Sequence, residues 1–211
     1  KNGTVTKSFG YTNPSWPDLL TSVTANGTTK DVLYEGQSQT SDLPSSGNPV
    51  TYYNGKDYAF TWTKGRQLAS ATVDGKQVSY TYDMSGVRSG KQVYTTSNQR
   101  TTTYTYTTLS GKVMRQQWET RNSDDSVREA MQTLEFVYDD GNQPFAMIYK
   151  HGQTTELYYY VLNAQGDVIA LLNANGTLAA SYNYGAWGNY SVHGADGKNC
   201  LLYTSPSPRD A

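Results

Sequence analysis

The chain has 211 residues, a formal net charge of −1, 36% hydrophobic residues and only 17% charged ones. A near-neutral chain exerts no bulk electrostatic pull on nucleic acid or an anionic membrane, and no run of about 18 apolar residues is present to span a bilayer as a helix. A single cysteine, Cys200, excludes a disulfide framework and a cysteine-based zinc site within this chain.

The polarity is carried by Thr, Ser, Asn, Gln and Gly, and Tyr outnumbers Phe 19 to 4. Tyr covers apolar surface while its hydroxyl stays in water or in a hydrogen bond. This composition predicts thin sheets with wet faces rather than one thick dry core. The length fits one β domain or two small ones.

Residues 1–50 are the least regular. Trp16-Pro17-Asp18-Leu19-Leu20 reads as a turn leading into a strand, and Ser38 to Pro49 as a loop rich in Ser, Pro and Gly. From Thr51 a rhythm sets in. Tyr58–Thr63, Gln67–Val73, Gln77–Tyr82, Thr101–Thr108, Lys112–Thr120 and Thr133–Tyr138 read as strands. In the third of these Val78, Tyr80 and Tyr82 share one face while Ser79 and Thr81 take the other, the period-2 pattern of a strand. Asn122–Gln132 is charged and reads as a decorated loop. The clearest stretch runs from Tyr158 to Asn189: an aromatic strand, a break at Gln165-Gly166-Asp167, a strand over Val168–Leu172, the hairpin dipeptide Asn175-Gly176, then alternation through Leu178, Ala180, Tyr182 and Tyr184.

Turn dipeptides punctuate nearly the whole length, among them Asn26-Gly27, Asn54-Gly55, Asp74-Gly75, Ser85-Gly86, Ser110-Gly111, Asp140-Gly141, His151-Gly152 and Asp196-Gly197. Many neighbours lie about ten residues apart, the spacing of successive short strands in an all-β array. A two-stranded hairpin alone is marginal, so each needs its neighbours, as in a solenoid-like array.

Residues suited to chemistry are sparse. His151 and His193 each precede a Gly and read as turn histidines, with no spacing that supports zinc. Asp124-Asp125 and Asp139-Asp140 are paired carboxylates, but adjacent strand residues face opposite sides and Asp-Gly is ordinary turn chemistry. No nucleophile elbow, phosphate loop or calcium loop is present. The sequence therefore predicts no catalytic residue, no cofactor and no metal. Trp16, Trp62, Trp118, Trp187 and the tyrosines offer a rival reading as glycan-stacking platforms. The tyrosines recur at repeat positions, which favours contacts between hairpins instead.

Several segments line up with one family. Tyr80-Thr81-Tyr82-Asp83-Met84-Ser85-Gly86-Val87-Arg88 resembles the YD-repeat motif Y-x-Y-D-x-x-G-x-R, and Tyr138-Asp139-Asp140-Gly141 resembles a second copy. The Tyr-rich strand, the turn at Gly166-Asp167 and the ending Tyr182, Tyr184, Trp187, Gly188 and Asn189 resemble the Rhs core, with Gly185 where that family usually carries Asp. Residues 52–93 are similar to Rhs/YD proteins of Firmicutes, and the resemblance covers residues 10–195. It implies an all-β fold, an array of antiparallel β-hairpins wound as part of a shell around a C-terminal toxin. That toxin would be the chain's own partner, in a secreted or cell-surface bacterial protein. The self-cleavage region and the toxin of that family have no counterpart in this sequence. The motif has a physical reading. The paired tyrosines stack between hairpins, the Asp bonds turn N–H groups, the Gly supplies a positive φ, and Arg88 pairs across the strand.

The expected organisation is an irregular YD-repeat-like segment over 1–50, YD-repeat hairpins over 51–121, a charged loop over 122–132 and a core-like meander over 133–199. Residues 200–211 resemble the translation of a sequencing adapter and are expected to be a non-native tail.

Overall fold

The computed structural model describes residues 7–37, 44–185 and 190–197. Trp187, Gly188, Asn189 and the tail from residue 200 fall outside them, as does part of the expected loop after Ser38. The described residues are all β, with no helix. They fall into two compact units that meet between Thr101 and Thr102.

In the first unit β1 (Lys7–Gly10), β2 (Ser22–Ala25) and β3 (Thr28–Asp31) form a small antiparallel sheet. Then β4 (Thr51–Tyr53), β5 (Asp57–Thr63), β6 (Gln67–Val73), β7 (Lys76–Tyr82) and β8 (Arg88–Thr95) pair in chain order, each antiparallel to the last. Strand β5 alternates strictly: Tyr58, Phe60 and Trp62 are half-buried while Asp57, Ala59, Thr61 and Thr63 are exposed. The buried cluster is small, formed by Leu19, Val23, Val32 and Tyr34 with Leu20 and Tyr52 packed on it.

The second unit continues the same way. Strands β9 (Arg100–Leu109), β10 (Lys112–Arg121), β11 (Val127–Tyr138), β12 (Pro144–His151), β13 (Thr154–Leu162), β14 (Val168–Asn173), β15 (Leu178–Tyr184) and β16 (Tyr190–Gly194) follow one another in space as in sequence. Registers such as Met147↔Tyr158, Tyr160↔Leu171, Leu171↔Ala180 and Tyr182↔Val192 put these side chains on one face. That face holds the core of this unit, which also includes Tyr106, Phe136 and Val168. Among the described residues, Leu171 and Val23 are the largest fully buried side chains. The burial is thin, as the Tyr-rich composition requires.

One expectation fails. Residues 122–132 are not a loop: the turn is confined to Asn122–Ser126, and β11 begins at Val127. Residues Val127–Met131 are exposed throughout, so this half of the strand has no buried face to leave an alternation in the sequence. Its charges serve the ladder instead. Thr120 donates to Glu129 Oε2 at 3.0 Å, its cross-strand partner.

Candidate functional site

The same turn recurs at five places, opened by Asp83, Asn122, Asp139, Asn163 and Asn173. In each, the opening residue donates its N–H to the carbonyl four residues on and accepts from the N–H three residues on, at 2.8–3.1 Å. The residue three positions on has a left-handed backbone: Gly86 (φ 85°), Asp125 (64°), Asn142 (65°), Gly166 (84°) and Gly176 (82°). Each turn shifts the strand register by one. This is a three-residue hairpin closed by a bulge, which needs Gly, Asn or Asp at the left-handed position.

The turns are satisfied in two ways. In the first, the opening side chain caps the loop. Asp83 Oδ1 accepts from the N–H groups of Ser85 and Val87 at 2.9 Å and from Ser85 Oγ at 2.7 Å. Asn163 Oδ1 accepts from the N–H groups of Gln165 and Asp167 at 2.9 Å, and Asp139 Oδ1 from Gln143 N at 2.8 Å. In the second, the opening Asn donates to a hydroxyl: Asn122 Nδ2 to Ser126 Oγ and Asn173 Nδ2 to Thr177 Oγ1, both at 3.0 Å. There the middle residue does the capping. Asp124 Oδ1 accepts from Ser126 N at 3.0 Å and Asn175 Oδ1 from Thr177 N at 3.1 Å. The paired carboxylates Asp124-Asp125 and Asp139-Asp140 are thus turn residues.

Hydrogen bonding to Ser85 and then to the Val87 N–H holds the Asp83 carboxyl below the usual carboxylate range. A depressed pKa means the cap stabilises the turn above the unfolded Asp value and is lost as pH falls through the lower folded value. Asn163 makes the same cap with an amide that has no proton to gain. Acidification below about pH 4 is therefore expected to speed amide hydrogen exchange at Val87 relative to Asp167, after correction for intrinsic rates. Equal response at the two amides would refute the assignment.

A tyrosine seals several of these edges. Tyr82, Tyr138 and Tyr184 end β7, β11 and β15, and each hydroxyl donates to a carbonyl near the start of the preceding strand. The acceptors are Leu68 O at 2.9 Å, Val113 O at 2.8 Å and Val168 O at 2.8 Å. Tyr34 does the same to Leu20 O at 2.9 Å. Replacing Tyr138 by Phe is expected to cost about 1 kcal/mol in urea unfolding, because the Val113 carbonyl loses its donor. A neutral Tyr138→Phe would show that water replaces it freely.

The sequence-predicted motif residues land as follows. Gly86 takes the positive φ, but Gly141 does not; Asn142 does, one residue later. Among the described residues, neither the Tyr80 ring nor the Tyr82 ring stacks on another aromatic ring. Arg88 lies over the ring of Tyr80 on the neighbouring strand β7, 4.4 Å from its centre. Tyr182 is buried, and Tyr184 is 42% exposed. Tyr138 and Tyr160 pack against the buried cluster that holds Tyr182, so tyrosines of successive hairpins gather on one face, and burial pushes the Tyr160 hydroxyl well above its ordinary range. Gly166 and Asp167 lie in the turn that Asn163 opens. At Asn175-Gly176 only the Gly is left-handed, whereas both residues are at Asn26-Gly27 and Asp74-Gly75.

Sequence reading missed Asn122, Asn163 and Asn173 as turn openers. Their shared signal was an Asn or Asp three residues before a Gly, Asn or Asp. It also missed Gln67 and Gln143. A Cβ on Gly86 would lie 3.1 Å from Gln67 Nε2, and one on Gly166 3.3 Å from Gln143 Oε1, so each Gln packs against a turn glycine.

Trp62 and Trp118 are engaged, whereas Trp16 is 40% exposed. Trp62 Nε1 donates to Pro49 O at 2.7 Å. Trp118 stacks between Tyr104 and Tyr149 at 6.3 and 6.2 Å, and Tyr149 stacks on His151 at 4.5 Å. His151 Nε2 sits 3.4 Å from Glu156 Oε2.

A sheet of successive antiparallel hairpins with repeated capped turns and tyrosine seals defines a β-hairpin repeat protein. No family model matches the sequence. It is similar to the tRNA3(Ser)-specific nuclease WapA of Bacillus spizizenii, 32% identical over 135 residues, and to the tRNA nuclease WapA of Bacillus subtilis, 31% identical over the same length. Each match covers 63% of this chain and 5% of the relative, so the chain spans a small part of these proteins. In fold it is similar to crystal structures of TcdB2-TccC3-TEV (TM-score 0.61, 16% identity) and of TcdB2-TccC3 without the hypervariable C-terminal region (TM-score 0.58, 15% identity). These cover 96% and 95% of this chain and 11% and 10% of those chains. These similarities support the resemblance of the sequence motifs to the Rhs/YD-repeat family.

Proposed function

We propose that this chain is a wall segment of a polymorphic-toxin shell, a non-catalytic part that encloses or presents a C-terminal toxin in a secreted or cell-surface bacterial protein. The observation that carries this reading is the repeated turn. Five hairpins reuse one self-satisfied closure, and the carboxylates that catalysis would need serve as caps within it. A chain built this way makes sheet area rather than a reaction centre. The relatives are named as nucleases, and the stretch matched here is 5% of their length, which leaves ample chain for a separate toxin. The rival reading, a glycan-binding module for wall attachment, draws little support from tryptophan and tyrosine rings that face one another.

The test uses the full-length parent protein. Deleting residues 102–197 is expected to expose the downstream toxin to protease and to make the protein harmful to its producer. A toxin that stays equally protease-resistant and silent after the deletion would overturn the shell reading.

A further inference from the structure

The dipeptide Asn-Gly occurs at Asn2, Asn26, Asn54 and Asn175, and the fold treats the last two in opposite ways. We infer that Asn54 is a site of spontaneous covalent modification, deamidation through a cyclic imide, and that the turn around Asn175 is built so that the same dipeptide resists it. This inference is independent of the shell reading.

The chemistry needs no cofactor. The Gly backbone nitrogen loses its proton and attacks Cγ of the preceding Asn. A C–N bond forms, and the side-chain nitrogen leaves as ammonia. Water then opens the imide at either carbonyl, giving Asp or isoaspartate. Nothing is oxidised or reduced. The reaction requires a side chain free to swing onto the next nitrogen, an N–H free to ionise, and no Cβ on the attacking residue.

Asn175 fails on the first two counts. Its Oδ1 accepts from Thr177 N at 3.1 Å and from Thr177 Oγ1 at 2.7 Å, which fixes the carboxamide. The nucleophile is engaged as well, because Gly176 N donates to Asn173 O at 2.8 Å. Asn54 meets all three requirements. It is exposed, and among the described residues its side chain makes no hydrogen bond. Its own N–H bonds Lys56 O at 3.1 Å, and no backbone bond of the turn uses the Gly55 N–H. Gly55 has φ 75°, a conformation that suits Gly. The turn also has company: Asn26 Nδ2 lies 3.0 Å from where a Cβ on Gly55 would sit, so the β2–β3 and β4–β5 turns abut.

The product would alter its surroundings. A carboxylate at position 54 stands two residues from Lys56, which pairs with Asp74, and three from Asp57, which holds Lys30 at 2.6 Å. An isoaspartate would also lengthen the main chain of the β4–β5 connection by one methylene.

The full chain, incubated in mildly alkaline buffer and digested, is read by peptide mass spectrometry with isoaspartate detection. Asn54 is expected to convert at least about tenfold faster than Asn175, the effect of one net hydrogen bond that must break before attack. In concentrated urea the two rates should converge. Thr177→Ala should accelerate Asn175 and leave Asn54 unchanged, with amide hydrogen exchange in β14 and β15 reporting whether that variant is folded. Conversion of Asn175 as fast as Asn54 in the folded chain, or an Asn54 that stays intact while Asn175 reacts, would overturn the inference.

Discussion

Leu171→Ala is expected to lower stability by about 2–5 kcal/mol, the largest single effect in this chain. Leu171 is 1% exposed and sits on β14 between Tyr160 of β13 and Ala180 of β15. Truncation removes most of its apolar surface and leaves a cavity. One flank is already Ala180, 0% exposed, which has no side chain to move into the gap. Tyr158 and Tyr182 bound the same cluster and are themselves buried, so they cannot swing inward without leaving a void of their own. In a unit whose burial is this thin, one fully buried leucine carries a large share of it. Urea unfolding of the full chain, followed by amide exchange in β13–β15, gives the measurement. The control is Leu178→Ala, on the next strand at 42% exposure, which is expected to change stability by about 0.5 kcal/mol or less. If the two substitutions cost the same, the burial pattern does not set the stability of this unit.

Gly166→Ala is the second large effect, at about 1–2 kcal/mol. Gly166 has φ 84°, where a Cβ crowds the following carbonyl, and that Cβ would also meet Gln143 Oε1 at 3.3 Å. Gly141 provides the comparison. It precedes the left-handed residue of the neighbouring turn, where Asn142 takes φ 65°. Gly141→Ala is therefore expected to cost less than Gly166→Ala, although the family motif places a Gly in both turns. A Gly141→Ala that is the more damaging of the two would reverse the assignment of Asn142.

Much of this was legible in the sequence, for a physical reason. Strands with one half-buried face leave an alternation: the reading placed β6 at Gln67–Val73, as observed, and β5 and β7 to within one residue. The start of β11 was illegible because Val127–Met131 are exposed on both faces. Turn positions were legible at most of the glycines that supply the left-handed residue, Gly36 being an exception. Asn142 and Asp125 were not, because Asn and Asp at such positions look like any polar loop residue. The tyrosine seals were hidden for another reason. The hydroxyl of Tyr138 reaches a carbonyl 25 residues away, and that of Tyr82 one 14 away, so no fixed spacing advertises them. The packing of Gln67 and Gln143 on turn glycines spans separate hairpins and leaves no local signal either.

The self-sufficiency of the turns bears on how such a chain can change in length. Strand β14 has 6 residues and β11 has 12, yet both are flanked by turns of the same build. Each turn closes its own hydrogen bonds, so a neighbouring strand need not match it in length for the edge to be satisfied. A whole hairpin can therefore enter or leave the array as a unit, carrying its closure with it. A single residue inserted within a strand has no such freedom, because it turns every following side chain to the opposite face. Such an array should evolve in steps of two strands, growing or shrinking the sheet without rewriting the hairpins that remain.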